Sequence, residues 1–303
     1  VCSSDLNLKD KLKGLPPIIL ATIDERKDRQ EYTETQYDYW GIKNYTKVSG
    51  SKYQLSTYED YWKDLVILNP FPEEYKRRKQ HIAEISITLA HLINIKNWLE
   101  TTNDPYVIIM EDDYDLSFIE YWHFDWEYLM NNIPYDWDCI QMSFENDRIV
   151  PCYLHPILSG HSTGASLINR RYAEKIISLH YKDGKFDLSQ NICNYKWSAR
   201  GIEYYTGMGM PNFTTDYFLG HNGKTYCMPL FSVNQDLGSW AQNIDRKSER
   251  KDLEFCYKAY KKWWTQLRDD YTLEEFFTYG KPNDRIIVPK ELEKELDHDI
   301  GLY

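Results

Sequence analysis

The run Tyr106-Val107-Ile108-Ile109-Met110-Glu111-Asp112-Asp113-Tyr114-Asp115 constrains the chain more than any other stretch. Its apolar part is far too short to cross a bilayer, and it ends abruptly in acid. That pattern predicts a strand buried on both faces, whose carboxyl end carries carboxylates to the rim of a sheet. Open α/β sheets hold their ligands at that rim. Three consecutive acids, with a fourth two residues on, repel one another unless a cation or a set of donors lies among them. Oxygen-only ligands suit Mg²⁺ or Mn²⁺, ions that commonly keep substrate phosphates in their coordination sphere. The competing expectation is a solvated acidic turn that caps the next helix.

Elements on either side of this run alternate. Leu15 to Thr22 reads as a first strand, with Pro16 and Pro17 at its entry, where a missing N–H is tolerated. It empties into the polar run Ile23-Asp24-Glu25-Arg26-Lys27-Asp28-Arg29, which opens a helix reaching about Tyr39. Strand, basic turn and helix start together make the arrangement of an anion site. The alternative for the same run is a solvated helix face laced by charge pairs. Gly41 stops that helix, and Tyr45 to Val48 forms a second strand. From Gln80 to Leu99, Ile82, Ile85, Leu89, Leu92, Ile93 and Leu99 recur at helical spacing. His91 within it reads as a core or boundary residue.

Further strands are expected at Trp137–Ser143 and His161–Ile168, with a helix at Tyr172–Leu179. This alternation predicts an α/β fold with a sheet that is parallel at least in its first half. Residues 181–240 are rich in aromatics and Gly without periodicity, the kind of loop-rich stretch on which acceptor sites are built. Beyond them, Lys251–Leu267 carries Leu253, Tyr257, Tyr260, Trp264 and Leu267 on one helical face. Thr272-x-x-Glu275 is a capping box for a further helix, and Pro289–Tyr303 reads as a peripheral helix and tail.

A chain of 303 residues is long enough for one large α/β domain with an appendage, or for two small domains. Its 36 basic and 47 acidic residues leave a net charge of −11, which argues against a polyanion as the main partner. Six cysteines, at 2, 139, 152, 193, 227 and 256, include no C-x-x-C pair, so buried free thiols and a reducing, cytoplasmic compartment are expected. No apolar run is long enough for a membrane span. Val1 to Leu6 resembles the translation of a sequencing-library adapter; it points to an environmental assembly and is set apart from the fold. Aromatics at 16%, with 26 Tyr and 10 Trp, tilt the expectation toward carbohydrate, for which flat rings serve as platforms.

Four further segments bring in a family resemblance. Ile23 to Arg29 is similar to the first-strand exit of the family-25 glycosyltransferases, the group of lipooligosaccharide and collagen-type galactosyltransferases. Tyr39-Trp40-Gly41-Ile42 through Val48-Ser49-Gly50 resembles that family's next segment, and Ile85 to Leu92 its helix ahead of the acids, with Ala90 where the family has Ser. Val107 to Asp113 resembles the acid motif itself, and Thr163 to Lys175 a later "G-A-x-K" segment. The resemblance covers roughly residues 16–180.

It implies a GT-A-like, Rossmann-like fold: a mostly parallel sheet flanked by helices, with a C-terminal helical extension. Together with the shift in composition past about Ile244, it divides the chain into a glycosyltransferase domain over 7–245, with a nucleotide-sugar half at about 15–145 and an acceptor half at about 146–245, and the extension over 246–303. It also implies a UDP-sugar donor, a hydroxyl acceptor such as a glycan, Mn²⁺ or Mg²⁺ at the acids, and inversion at the sugar. Asp113 is the first expectation for a metal ligand, with Asp115 a rival and His221 a further candidate. Thr22, Arg26, Arg29, Glu111 and Asp112 are expected around the nucleotide, with Asp112 open to a metal role as well. Inversion needs a carboxylate to deprotonate the acceptor, with Asp216 the candidate and Asp236 in reserve. Two rival readings stand beside this one. One is a phage-type transferase acting on hydroxymethylated DNA bases; the other is a non-catalytic carbohydrate-binding protein whose acids hold Ca²⁺.

Overall fold

A strand with four consecutive apolar residues, Val107 to Met110, demands cover on both faces, and the fold supplies it. The computed structural model describes residues 8, 10–51, 64–67, 79–143, 153–154, 164–188, 196–199, 202–205, 215–220, 222–237 and 247–277. The chain begins with β1 (Ile18–Thr22), α1 (Lys27–Trp40), β2 (Tyr45–Ser49), β3 (Val66–Ile67), α2 (Lys79–Thr101), β4 (Tyr106–Glu111) and β5 (Tyr114–Asp115). It continues through α3 (Trp126–Asn132), β6 (Cys139–Gln141), β7 (Ala165–Asn169), α4 (Arg170–His180), β8 (Tyr181–Lys182) and β9 (Lys185–Asp187). The remainder comprises β10 (Lys196–Ala199), β11 (Ile202–Tyr205), α5 (Thr215–Gly220), β12 (Thr225–Cys227), β13 (Ser232–Val233), α6 (Lys247–Lys262) and α7 (Leu273–Phe277).

The central sheet has the order β12-β6-β7-β4-β1-β2. Pairing is parallel between β2, β1 and β4 and between β6 and β12, whereas β7 runs antiparallel to both of its neighbours. The protein is therefore an α/β fold with a mostly parallel, Rossmann-like sheet. Along β4 the side chains alternate: Val107 and Ile109 pack with Ile85, Leu89, Leu92 and Ile95 of α2, while Ile108 and Met110 pack with Tyr37 and Trp40 of α1. All four strand residues are buried, each contributing about 1.5–3 kcal/mol by leaving water. Helix α1 stops at Gly41, whose left-handed backbone (φ 74) lets its N–H reach the Asp38 and Tyr37 carbonyls.

Three expectations are revised. Residues 181–240 are not only loops: Asp183 and Gly184, both at positive φ, turn a hairpin between β8 and β9, and β12 forms an edge of the central sheet. A strand of three residues is too short to show a period. Next, the two proposed halves interleave in one sheet, because β7 lies between β4 and β6. Finally, the C-terminal helices are no appendage. Tyr260, Trp263, Trp264, Phe276 and Phe277 belong to the same core as Ile18, Leu20, Trp122 and Trp126, and Trp264 Nε1 donates to the Pro229 carbonyl (2.8 Å).

The capping box forms as expected, with Thr272 N–H donating to Glu275 Oε2 (3.0 Å) and Glu275 N–H to Thr272 Oγ1 (3.2 Å). Cys139, Cys227 and Cys256 are buried free thiols. Among the described residues no helix is long and apolar enough to cross a membrane. Val1 to Leu6 and the proposed helix at 289–303 lie outside the described residues.

Candidate functional site

The order of the strands creates the site. From β1 the chain crosses α1 to β2 on one side, and β4 later enters on the other, with Ala21 level with Glu111. The carboxyl ends of β1 and β4 thus flank a topological switch point, where the connections diverge and leave a crevice. Thr22, Glu111 and the turn Asp112-Asp113 all lie there.

Within the turn, side-chain bonds orient the carboxylates and bonds to the backbone carbonyls fix the turn itself. Asp112 is buried: its Oδ2 accepts from Thr22 Oγ1 (2.6 Å) and its Oδ1 from Arg29 Nη1 (3.2 Å), while its carbonyl accepts from Thr33 Oγ1 (2.8 Å). Arg29 Nη2 lies 2.9 Å from Asp113 Oδ2, so one guanidinium bridges two adjacent acids. The Asp113 carbonyl accepts from Asn234 N–H (2.7 Å), which ties the turn to the segment after β13. Burial raises the Asp112 carboxyl above its usual range against the pull of Thr22 and Arg29. For Asp113 burial again dominates, and with Glu111 and Asp112 beside it outweighs Arg29, pushing the carboxyl up to about 7.

The other expected residues fall around this turn. Glu111 is partly exposed at the crevice, and its Oε1 lies 3.2 Å from Nε2 of buried His91 on α2. One turn earlier on α2, Thr88 Oγ1 meets Thr215 Oγ1 (3.0 Å). That link sets the start of α5, and with it the backbone of Asp216, near the same edge of the sheet. Asp236 is exposed on the opposite flank; its N–H donates to Asn234 Oδ1 (3.0 Å), two residues from the N–H that caps Asp113. Arg26 pairs with Asp28 (2.7 Å) and donates to the Leu237 carbonyl, so it clamps the same segment at the mouth of the crevice. Asp115 spends one oxygen on Ser117 N–H (2.7 Å), a turn-stabilising bond. His221 lies outside the described residues.

Arg29 is not part of a solvated face. It is 5% exposed and points inward at the acids, which is what the basic turn contributes. His91 is buried, as the core-or-boundary reading has it, and its contact with Glu111 is what sequence reasoning missed. Thr88, His91 and Asn94 recur every third residue on the buried side of α2, a polar ridge in an apolar face. That ridge was the available signal.

Among the described residues no group of three or more His, Cys, Asp or Glu side chains converges as a metal cage. A Mg²⁺ or Mn²⁺ ion held jointly with phosphates asks less of the protein, one or two carboxylates. Asp113 fits that demand, because its Oδ1 is buried and accepts no hydrogen bond among the described residues. Buried carboxylate oxygens without a partner are rare, and each calls for an occupant.

No protein-family model matches the chain, and no curated protein does. Among solved structures, the chain is similar to the crystal structure of A197 from STIV, at 9% identity and a TM-score of 0.32 over 72% of this chain and 84% of that one. At that score the likeness carries no argument about chemistry.

Proposed function

We propose that this protein is a metal-dependent glycosyltransferase that moves a sugar, galactose or glucose, from a UDP-sugar to a hydroxyl acceptor. The observation that carries the reading is Asp113 Oδ1: a buried, unpartnered carboxylate oxygen at the switch-point crevice. Beside it, the Asp112 carboxylate is held in a fixed orientation by Thr22 on one oxygen and Arg29 on the other. The order of the central sheet, with one strand reversed, also accords with the GT-A-like expectation raised by the family-25 resemblance.

In this reading Asp113 and Asp112 would hold Mn²⁺ or Mg²⁺ together with the donor's two phosphates. When bound, the ion would supply Lewis-acid stabilisation of the diphosphate leaving group. Glu111, oriented by His91, faces the crevice where the nucleoside would lie. Arg26 stands at its mouth as a cation for phosphate or a base edge. Removal of the acceptor's proton falls to a carboxylate on one flank or the other, Asp216 or Asp236.

A panel of nucleotide sugars, screened for hydrolysis without acceptor in Mn²⁺ and in chelator, tests this. Release of sugar and UDP from one donor, only with metal, is the expected result. UDP affinity that is equal with and without chelator, together with hydrolysis of no donor, overturns it.

A further inference from the structure

Arg29 stands where a divalent ion would act. Its Nη1 is 3.2 Å from Asp112 Oδ1 and its Nη2 2.9 Å from Asp113 Oδ2, with the side chain 7% exposed. A guanidinium stays charged at any pH at which a protein is folded, and its planar fork spans two carboxylates as a bridging cation does. The pair therefore carries its own counter-ion. A metal ion on Asp113 Oδ1 would sit within a few ångströms of that charge, in a buried setting where repulsion is weakly screened. A diphosphate changes the balance, since its oxygens can take the guanidinium as a fork-to-fork partner and free Asp113 for the ion.

We propose that Arg29 is a resident counter-ion that keeps divalent metal off the Asp112–Asp113 pair until a diphosphate arrives, so that cation and nucleotide enter together. The proposal rests on the donor-site reading above. It differs from a simple phosphate-anchoring role for Arg29 in its sign: loss of the arginine strengthens metal binding in the absence of nucleotide.

The test is Mn²⁺ alone, titrated into the full chain and read by the resonance signal of free Mn²⁺ and by thermal unfolding. Wild type is expected to bind Mn²⁺ weakly and to show no shift of its melting temperature until UDP is added. Arg29→Gln leaves two carboxylates without their cation. It is expected to bind Mn²⁺ alone about tenfold or more tightly than wild type, and to melt higher when the ion is present. Arg29→Lys keeps the charge without the fork and is expected between the two. Should Arg29→Gln fold only when Mn²⁺ is supplied, the counter-ion role is supported; should it not fold at all, Arg29→Lys decides, and Mn²⁺ affinity equal to wild type overturns the proposal. Arg29→Gln binding Mn²⁺ no better than wild type overturns it outright. The two readings fail separately. A wild type that takes up UDP with Mn²⁺, paired with no gain in Arg29→Gln, removes the counter-ion role alone. A gain in Arg29→Gln with no uridine nucleotide bound by either protein removes the donor-site reading, and with it the joint entry of cation and nucleotide, and leaves only the exclusion of metal by Arg29.

Discussion

The ring of Tyr114 occupies the space that a side chain at Gly164 would need: a Cβ there would lie 1.9 Å from Tyr114 Cε2 and 2.1 Å from its hydroxyl oxygen. The Gly164 carbonyl also accepts the Glu111 N–H (2.7 Å), and Ser143 Oγ donates to the Tyr114 hydroxyl (3.2 Å). Both ends of the acid turn therefore lean on one glycine. Gly164→Ala is expected to destabilise the fold by about 1–3 kcal/mol, the range for overpacking, read by chemical denaturation. In a Tyr114→Ala background the same change should add little, because the clashing ring is gone. An equal cost in both backgrounds would place the strain elsewhere.

Two buried histidines set an acid limit on stability. His123 is 5% exposed, and neither ring nitrogen has a hydrogen-bond partner among the described residues. Burial, with Arg268 and Lys11 adding to it, lowers His123 to about 4; burial does the same to His180. A folded-state value below the unfolded one means that the unfolded chain takes up the proton first. The stability these groups contribute is complete above about pH 6.5 and is lost as pH falls toward about 4. His123→Leu is expected to flatten that decline by roughly half, measured as denaturation midpoint against pH. A slope that does not change would mean that His123 is protonated in the fold.

Asp113 is expected to set stability against binding. Its carboxyl is held above its ordinary range by burial and by neighbouring acids, so the neutral form suits the fold better than the charged one. Asp113→Asn should raise the unfolding free energy by about 1 kcal/mol at neutral pH while abolishing Mn²⁺-dependent UDP binding. Calorimetry and denaturation on the same preparation check both halves. A variant that still binds UDP in a Mn²⁺-dependent way would remove Asp113 from the metal.

The two flanking carboxylates separate by kinetics. Loss of the acceptor base is expected to lower transfer by about 10²–10⁴-fold and leave metal-dependent donor binding intact. Asp216→Asn and Asp236→Asn, assayed side by side, assign the role to whichever shows that pattern. Neither showing it would put the base outside the two flanks.

Local pattern made much of this legible, and tertiary pairing accounts for what it missed. The β4 strand, α1 with its Gly41 stop, the long α2 and the Thr272–Glu275 box were readable because each rests on spacing or on a cap within a few residues. The parallel first half of the sheet was readable as well, but the reversal of β7 was not, since Ala165–Asn169 reads the same in either sense and only its neighbours reverse it. Arg29 sat in a charge run indistinguishable from a solvated face, and its partners lie far along the chain. Asp112 was placed at the crevice from sequence, but its bond to Thr22 needed the β1–β4 register to appear.

The shared core of the early and late chain bears on synthesis. Phe124 leaves the ribosome long before Trp264 and Phe276, the rings it packs against with centroids 6.3 and 5.5 Å away, and Trp122 packs beside it with Trp126. Until the last helices emerge, that aromatic layer is open to water and to other nascent chains, the state in which large α/β proteins aggregate or engage chaperones. Ribosome pausing upstream of α6 would lengthen this exposure, so the yield of soluble protein depends on how quickly the stretch encoding α6 and α7 is read.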